Sequence, residues 1–231
     1  MFKISFLTLF PESFQWLKDY SIIKNAIDKN LVELEIINFR EWSTDKHKRV
    51  DDYQCGGGPG MVIGLQAICD CLKEIKTSNS KTYLLSPSGE LYHQDLGKQI
   101  LQATNHLILI CGHYEGFDAR LQHYIDGEIS IGDYIVSGGE IPAMVIADSL
   151  IRMVDGVISQ ASLISESFEN NLLDYPVYTK PINYEGYLVP EVLLSGNHQK
   201  VAAFHLEEQI KLTKQKRNDL YQKYLKSRKE N

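Results

Sequence analysis

Short apolar runs alternate with amphipathic stretches over the first two-thirds of the chain. Lys3–Leu9 is apolar and strand-like, and Leu31–Phe39 alternates around Val32, Leu34 and Ile36 as a half-buried strand does. Thr82–Ser86, Leu107–Cys111 and Glu128–Ile131 are further short apolar runs bounded by turn residues. Between them, Pro11 opens a helical stretch whose apolar positions are Phe14, Leu17, Ile22, Ala26 and Ile27. Helices are also predicted near residues 64–76, 93–103 and 117–125. A longer one over Ile141–Val154 is expected to stop at Asp155-Gly156, where glycine takes the left-handed conformation that ends helices. This β–α alternation predicts an α/β fold, a mostly parallel sheet with helices on both faces.

After residue 156 the pattern changes. Residues 157–172 are Ser/Asn-rich and weakly periodic, and read as a linker. From Leu173 the chain is short and mainly helical. Pro176, Pro181 and Pro190 break its first part, and Ser195-Gly-Asn197 reads as a helix start. Leu206, Ile210, Leu220, Tyr221, Tyr224 and Leu225 offer a discontinuous apolar stripe. The expected organisation is an α/β domain over 1–156, a linker over 157–172 and a small helical domain over 173–231.

Composition narrows the class. With 43% hydrophobic and 23% charged residues among 231, the chain is globular, not disordered or fibrous. No apolar run approaches the roughly 20 residues a membrane helix needs. The start carries no basic leader or small-residue cleavage site, so no signal peptide is expected. Cys55, Cys69, Cys71 and Cys111 make no CxxC pair, which points away from a zinc ribbon or a disulfide framework. A cytoplasmic protein is expected. A net charge of −6 argues, taken whole, against a nucleic-acid partner. The charge is segregated, however. Residues 211–231 hold eight Lys/Arg against Asp219 and Glu230, a net +6, which leaves −12 for residues 1–210. Such asymmetry hints at a polyanion, although most charge runs are simply solvated helix faces.

Glycine is densest in three loops. Gly56-Gly-Gly-Pro-Gly60 matches neither the dinucleotide nor the P-loop fingerprint. Cys111-Gly-His-Tyr-Glu-Gly116 follows one predicted strand, and Ser130-Ile-Gly-Asp-Tyr-Ile-Val-Ser-Gly-Gly-Glu140 follows another. Leu84-Leu-Ser-Pro87 ends a third. Ligands of open α/β sheets bind outside the carboxyl ends of strands, so these loops are well placed, although ordinary βα turns also contain Gly and Pro. Gly138-Gly139 leads into a helix whose first N–H groups suit an acceptor. There is no HExxH, and Ile135 breaks a GxSxG around Ser137. The histidines are scattered, so covalent catalysis has no support. Lys46-His-Lys-Arg49 is a second basic cluster, able to meet phosphate or to pair with Asp51 and Asp52.

Taken in order, the segments resemble one family, the bacterial tRNA (guanine-N1)-methyltransferases of the knotted SPOUT superfamily. The matching stretches are Leu9-Phe-Pro11, Val50-Asp-Asp52, Gly56-Gly-Gly-Pro-Gly-Met61, Cys111-Gly-His-Tyr-Glu-Gly116, Ser130-Ile-Gly-Asp-Tyr134, Ser137-Gly-Gly-Glu140 with Pro142-Ala, Leu172-Leu-Asp174 and Leu193-Leu-Ser-Gly-Asn-His198. Each is weak alone; the ordered set is specific. The resemblance implies methyl transfer from S-adenosylmethionine to N1 of guanine 37, just 3′ of the anticodon of tRNA. It implies a homodimer with a shared active site, an anticodon stem-loop as partner, and a deep trefoil knot. General topology weighs against a knot, and nothing in the pattern shows one.

The resemblance also assigns residues. The donor would lie among Leu84, Leu85, Ser86 and Pro87, then Gly112, Tyr114 and Glu115. Ser130, Ile131, Gly132, Tyr134, Ile135 and Val136 would complete the cradle, with Gly138, Gly139 and Pro142. Gly58, Gly60, Ser167, Asp174, Asn197 and His198 would meet the RNA. The family's general base is an Asp before Ser-Phe; here that place holds Glu166, with Asp174 as the fallback. Glutamate keeps the carboxylate and adds a methylene, with a reference pKa only about 0.4 units higher, so reach differs more than basicity. Arg152 would steer the guanine or stabilise charge at O6. The family's reaction is associated with Mg²⁺, for which the sequence shows no dedicated cage. Two other readings remain open at this level: a non-catalytic RNA-binding module, favoured by the Asp-to-Glu change, and a dehydrogenase, disfavoured by the missing GxGxxG.

Overall fold

A computed structural model describes residues 1–159 and 166–230. They form two compact units, Met1–Ile158 and Ser159–Asn231. In the first unit β1 (Phe2–Thr8), β2 (Val32–Asn38), β5 (Ser80–Leu91), β6 (His106–Ile110) and β7 (Gly127–Ser130) build one parallel sheet in the order β2-β1-β6-β5-β7. Side-chain alternation splits β1 and β6 between two cores. Phe2, Ile4, Phe6, Leu107 and Leu109 pack on one face with α1 (Gln15–Asp19), α2 (Ser21–Asp28), α4 (Gln94–Ala103) and α5 (Glu140–Met153). Leu7, Ile108 and Ile110 pack on the other with α3 (Leu65–Ile75). Every residue of β6 is buried, as a central parallel strand covered on both faces must be.

The predicted elements differ in detail. The stretch from Pro11 breaks into a 3₁₀ turn, α1 and α2, with Tyr20 extended between the two helices. Residues near 117–125 form a 3₁₀ segment, Ala119–Tyr124, capped by the Asp118 carboxylate. Helix α5 ends at Met153, where Val154 turns extended; the left-handed glycine, Gly156 at φ +86°, comes only two residues later. Two strands escape the pattern altogether. β3 (Asp51–Tyr53) and β4 (Met61–Ile63) pair antiparallel and frame the first glycine loop, and three residues are too few to display a period of two.

One connection in the sheet is unusual. Ile129 of β7 is paired with both Leu85 and Glu90 of β5, so β5 turns through Pro87-Ser-Gly89 and returns beside β7. At Gly89 a Cβ would stand 2.5 Å from the Glu128 carbonyl carbon, so only glycine permits this approach.

In the second unit, a two-residue hairpin, β8 (Asn183–Tyr184) and β9 (Tyr187–Leu188), precedes α6 (Glu191–Leu194), α7 (His198–Lys216) and α8 (Asn218–Glu230). Asn197 caps α7 by accepting the Lys200 N–H at 3.1 Å. The expected apolar stripe is only partly buried. Leu220 and Tyr224 are buried with Leu172, while Leu206 and Leu225 are exposed. Of the predicted linker, residues 160–165 lie outside the described residues; Glu169–Asn171 form a 3₁₀ turn.

Candidate active site

The carboxyl ends of β5, β6 and β7 open onto a cavity of about 520 Å³, within the usual size of a small-ligand site. Its walls are the loops that follow those strands. Leu84, Leu85, Ser86 and Pro87 line it, as do Gly112, Tyr114 and Glu115. Ser130, Ile131, Gly132, Tyr134, Ile135 and Val136 close another side, with Gly138, Gly139 and Pro142 at the start of α5. The structure thus brings together all the residues assigned to the donor cradle. Ser88, His113 and Glu128 line it too, and were not anticipated.

Close backbone approach explains the glycines. The Gly139 N–H donates to the Gly112 carbonyl at 2.9 Å, joining the second loop to α5. A Cβ on Gly139 would lie 2.6 Å from the Cys111 Cα. Gly132 has φ +147° and Gly116 φ +97°. Tyr114 adopts the left-handed conformation at φ +58° although it is not glycine, a strained state that clusters at functional sites.

Beneath the cavity lies a polar network. Glu140, the first residue of α5 and almost fully buried, accepts from Thr8 Oγ1 at 2.5 Å through Oε1. Its Oε2 lies 2.6 Å from His113 Nε2, and the His113 ring packs on Phe10 with centroids 4.6 Å apart. A carboxylate in the first turn of a helix also meets the positive end of its dipole. His113 reads from sequence as one scattered histidine, and Thr8 carries no signal at all; only the tertiary register of β1 against α5 reveals them.

The neighbouring groups are chemically quiet or oriented. Burial, and then the charge of Glu140, pushes the Cys111 thiol well above its ordinary pKa, so it stays protonated and is no nucleophile. Ser88 donates to Glu128 at 2.6 Å on the rim. Burial raises the pKa of Asp148 on α5, opposed by the charge of Arg152 one turn on. Arg152 is half-buried near the C-terminal end of that helix.

The other assigned residues are divided between the two units. Gly58 and Gly60 sit in the loop between β3 and β4 at φ +135° and +81°. A Cβ on Gly60 would stand 2.6 Å from Glu115 Oε1, so the Glu115 side chain covers that loop. Ser167 and Asp174 belong to the second unit and are bonded to each other, Ser167 Oγ accepting the Asp174 N–H at 2.9 Å. Glu166 is half-buried beside Ser167. Asn197 is the cap of α7 and His198 its first residue, both exposed. In the basic cluster, Arg49 pairs with Asp45 at 3.1 Å rather than with Asp51 or Asp52.

The family model described as tRNA (Guanine-1)-methyltransferase TrmD matches residues 2–223. A protein of Malacoplasma penetrans, named tRNA (guanine-N(1)-)-methyltransferase, is 58% identical over 97% of this chain and 99% of its own length. Proteins of the same name from Ureaplasma urealyticum serovar 10 and Dictyoglomus turgidum are 53% and 48% identical. They cover 98% and 96% of this chain, and 100% and 91% of their own lengths. With three strand-end loops meeting at one cavity and a match running nearly end to end, the chain belongs to the tRNA (guanine-1)-methyltransferase family.

Proposed function

We infer that this protein is an S-adenosylmethionine-dependent methyltransferase acting on N1 of guanine 37 of tRNA. The observation that carries the reading is the convergence of the three strand-end loops on one cavity, within a chain of this family. Apolar walls from Leu84, Leu85, Ile131 and Pro142 suit a purine, and loop polar groups suit ribose and amino-acid moieties. The bound donor supplies an electrophilic methyl group on a sulfonium.

N1 of guanine carries a proton at neutral pH. As the N1–methyl bond forms and the sulfur–methyl bond breaks, that proton passes to a carboxylate, which we assign to Glu166. Negative charge gathering at O6 is met by the Arg152 guanidinium. A loop guanine is unstacked more cheaply than a paired one. Gly58, Gly60, Ser167, Asp174, Asn197 and His198 contact the RNA on this reading, and the basic stretch 211–229 holds phosphate. Among the described residues no group of three or more His, Cys, Asp or Glu is placed to hold a metal, so no step is routed through Mg²⁺.

Three further features complete the proposal. A trefoil knot is supported by β7 pairing with both arms of the Leu85–Glu90 turn and by the contact at Gly89. A homodimer is supported by apolar side chains left exposed on the first unit, Trp16 on α1 and Ile141 and Val145 on α5; sedimentation velocity tests it. A helical tRNA-binding domain over 173–231 is supported by α7 and α8. Among the described residues no helix is long and apolar enough to cross a membrane. A tRNA substrate supports a cytoplasmic reaction.

The decisive assay supplies labelled donor and transcripts with or without guanine 3′ of the anticodon. Methylation of the first alone is expected; methylation of both refutes the substrate. Glu166→Ala is expected to abolish turnover while calorimetry still detects donor binding. Normal turnover would move the base role to Asp174 or elsewhere.

A further inference from the structure

The segment bearing Glu166 is folded into a small closed turn of its own. The Phe168 N–H donates to the Leu172 carbonyl at 2.7 Å, and the Asp174 N–H donates to Ser167 Oγ at 2.9 Å. These two bonds bring the ends of the turn together, so Glu166 and Asp174 flank one neck. The turn is sharp: Phe168, Asn170 and Asn171 all have positive φ, at +76°, +51° and +57°. A turn of this kind does not hold its shape alone; something must over-determine it.

Two contacts with α7 do so. Thr213 is fully buried on a helix that is otherwise half-buried or exposed. Its hydroxyl donates to the Gln209 carbonyl at 2.6 Å, as helix threonines do, and accepts the Leu173 N–H at 2.8 Å. Two residues along, the Tyr175 ring stacks face to face on His205, with centroids 3.6 Å apart and planes at 5°. Leu172 is buried, as are Leu220 and Tyr224 on α8.

We propose that Thr213 and the Tyr175–His205 stack are positioning residues for the methyl transfer. They fix the Glu166–Asp174 neck to the long helix α7, so that the carboxylate is set by the element that carries the RNA-binding surface. The inference rests on the reading of Glu166 as base. It follows from the chemistry: a general base must lie within hydrogen-bond reach of the proton it takes, and a displacement of about 1 Å can cost on the order of a hundredfold in rate. Neither Thr213 nor His205 needs to touch guanine or donor. A purely structural role would lower stability and tRNA binding together; a positioning role lowers kcat selectively.

The test uses the full chain with S-adenosylmethionine and a transcript bearing guanine 3′ of the anticodon. Thr213→Val keeps shape and loses the acceptor for the Leu173 N–H. We expect kcat to fall about tenfold or more with both KM values unchanged, and Thr213→Ser to restore it. Tyr175→Ala should show the same signature and Tyr175→Phe should regain turnover; this pair decides the matter if Thr213→Val does not fold. Wild-type kcat in Thr213→Val overturns the proposal. So does a parallel loss of kcat and tRNA affinity, or failure of the conservative variants to rescue. An unmutated protein that leaves the transcript unmethylated would instead refute the function on which the inference rests.

Discussion

Replacing Gly139 by alanine puts the cavity's construction to a single test. The residue precedes α5, donating its N–H to Gly112 and accepting the Ala143 N–H at its carbonyl, both at 2.9 Å. Its φ of −73° suits any residue, so the effect of a methyl group is purely steric. That methyl would stand 2.6 Å from the Cys111 Cα and 2.7 Å from the Gly112 nitrogen, where ordinary contact begins at 3.4 Å. Both obstacles are backbone atoms. They cannot swing aside, because the Cys111 N–H is held by the Leu7 carbonyl at 2.9 Å. Relief therefore moves the start of α5 away by most of an ångström and lengthens the bond to Gly112. Overpacking of this kind costs about 1–3 kcal/mol, and the lost hydrogen bond about 0.5–1.5 kcal/mol. The displaced loop is a wall of the cavity, so donor affinity should fall about ten- to a hundredfold. Titration calorimetry with S-adenosylmethionine measures this directly, with a thermal melt in parallel. Gly64→Ala is the control, since its methyl would meet only the Val50 carbonyl oxygen at an ordinary 3.6 Å. If Gly139→Ala binds donor like the parent and melts like the control, the loops are not locked together as described.

Glu140→Gln removes the charge from two short buried bonds, worth about 1.5–3 kcal/mol, and should lower the melting midpoint by about 3–12 °C, read by calorimetry; an unchanged midpoint would show that the pair with His113 contributes nothing. Alkaline pH should destabilise the fold through Cys71, whose thiol burial pushes from 9.0 up to about 12. The unfolded chain ionises first, so the contribution is intact below pH 9 and is lost as pH rises toward 12, at about 1.4 kcal/mol per unit; denaturant titrations at pH 8 and 10.5 should differ less in Cys71→Ala. Reversing the exposed charges of Lys223 and Lys226 to glutamate should raise the KM for tRNA and flatten its salt dependence while leaving donor affinity alone; equal salt slopes in filter binding would remove α8 from the interface.

How much of this was legible beforehand differs by element. The five sheet strands announce themselves because each is a short apolar run between turn residues, and β6, buried on both faces, is the plainest. The strand-end loops could be expected to face one cavity because parallel sheets bind ligands there, and Gly112, Ser130 and Gly139, which the resemblance assigned, do line it. The hairpin of β3 and β4 could not be read, since its strands are three residues long and the first begins with two aspartates. Nor could Thr8, His113 and Glu140 be joined. They lie on three elements, the outer two 132 residues apart, and nothing local marks a buried acid–hydroxyl pair. The basic cluster at 46–49 misled in its partner, because Asp45 caps the tight turn on which Arg49 sits, closer in space than Asp51 or Asp52.

Charge is the property on which the two levels of reading differ most. A net −6 weighs against an RNA partner only if charge is spread evenly, and it is not. Residues 1–158 hold fourteen Lys/Arg against twenty-one Asp/Glu, a net −7, while residues 211–231 carry +6. The two substrates of the proposed reaction have opposite needs: the donor brings a cationic sulfonium and the tRNA a dense row of phosphates. A uniformly basic body would repel the first and a uniformly acidic one the second. The cavity lies in the acidic unit and the basic stretch on α7 and α8 of the other, so each substrate of the proposed reaction has a part of the chain with the charge it needs. The base proposed at Glu166 belongs to the second unit and needs a rigid mount. The field of the helices can bring the RNA in, but only fixed contacts such as those of Thr213 can hold a carboxylate to the tolerance that proton transfer demands.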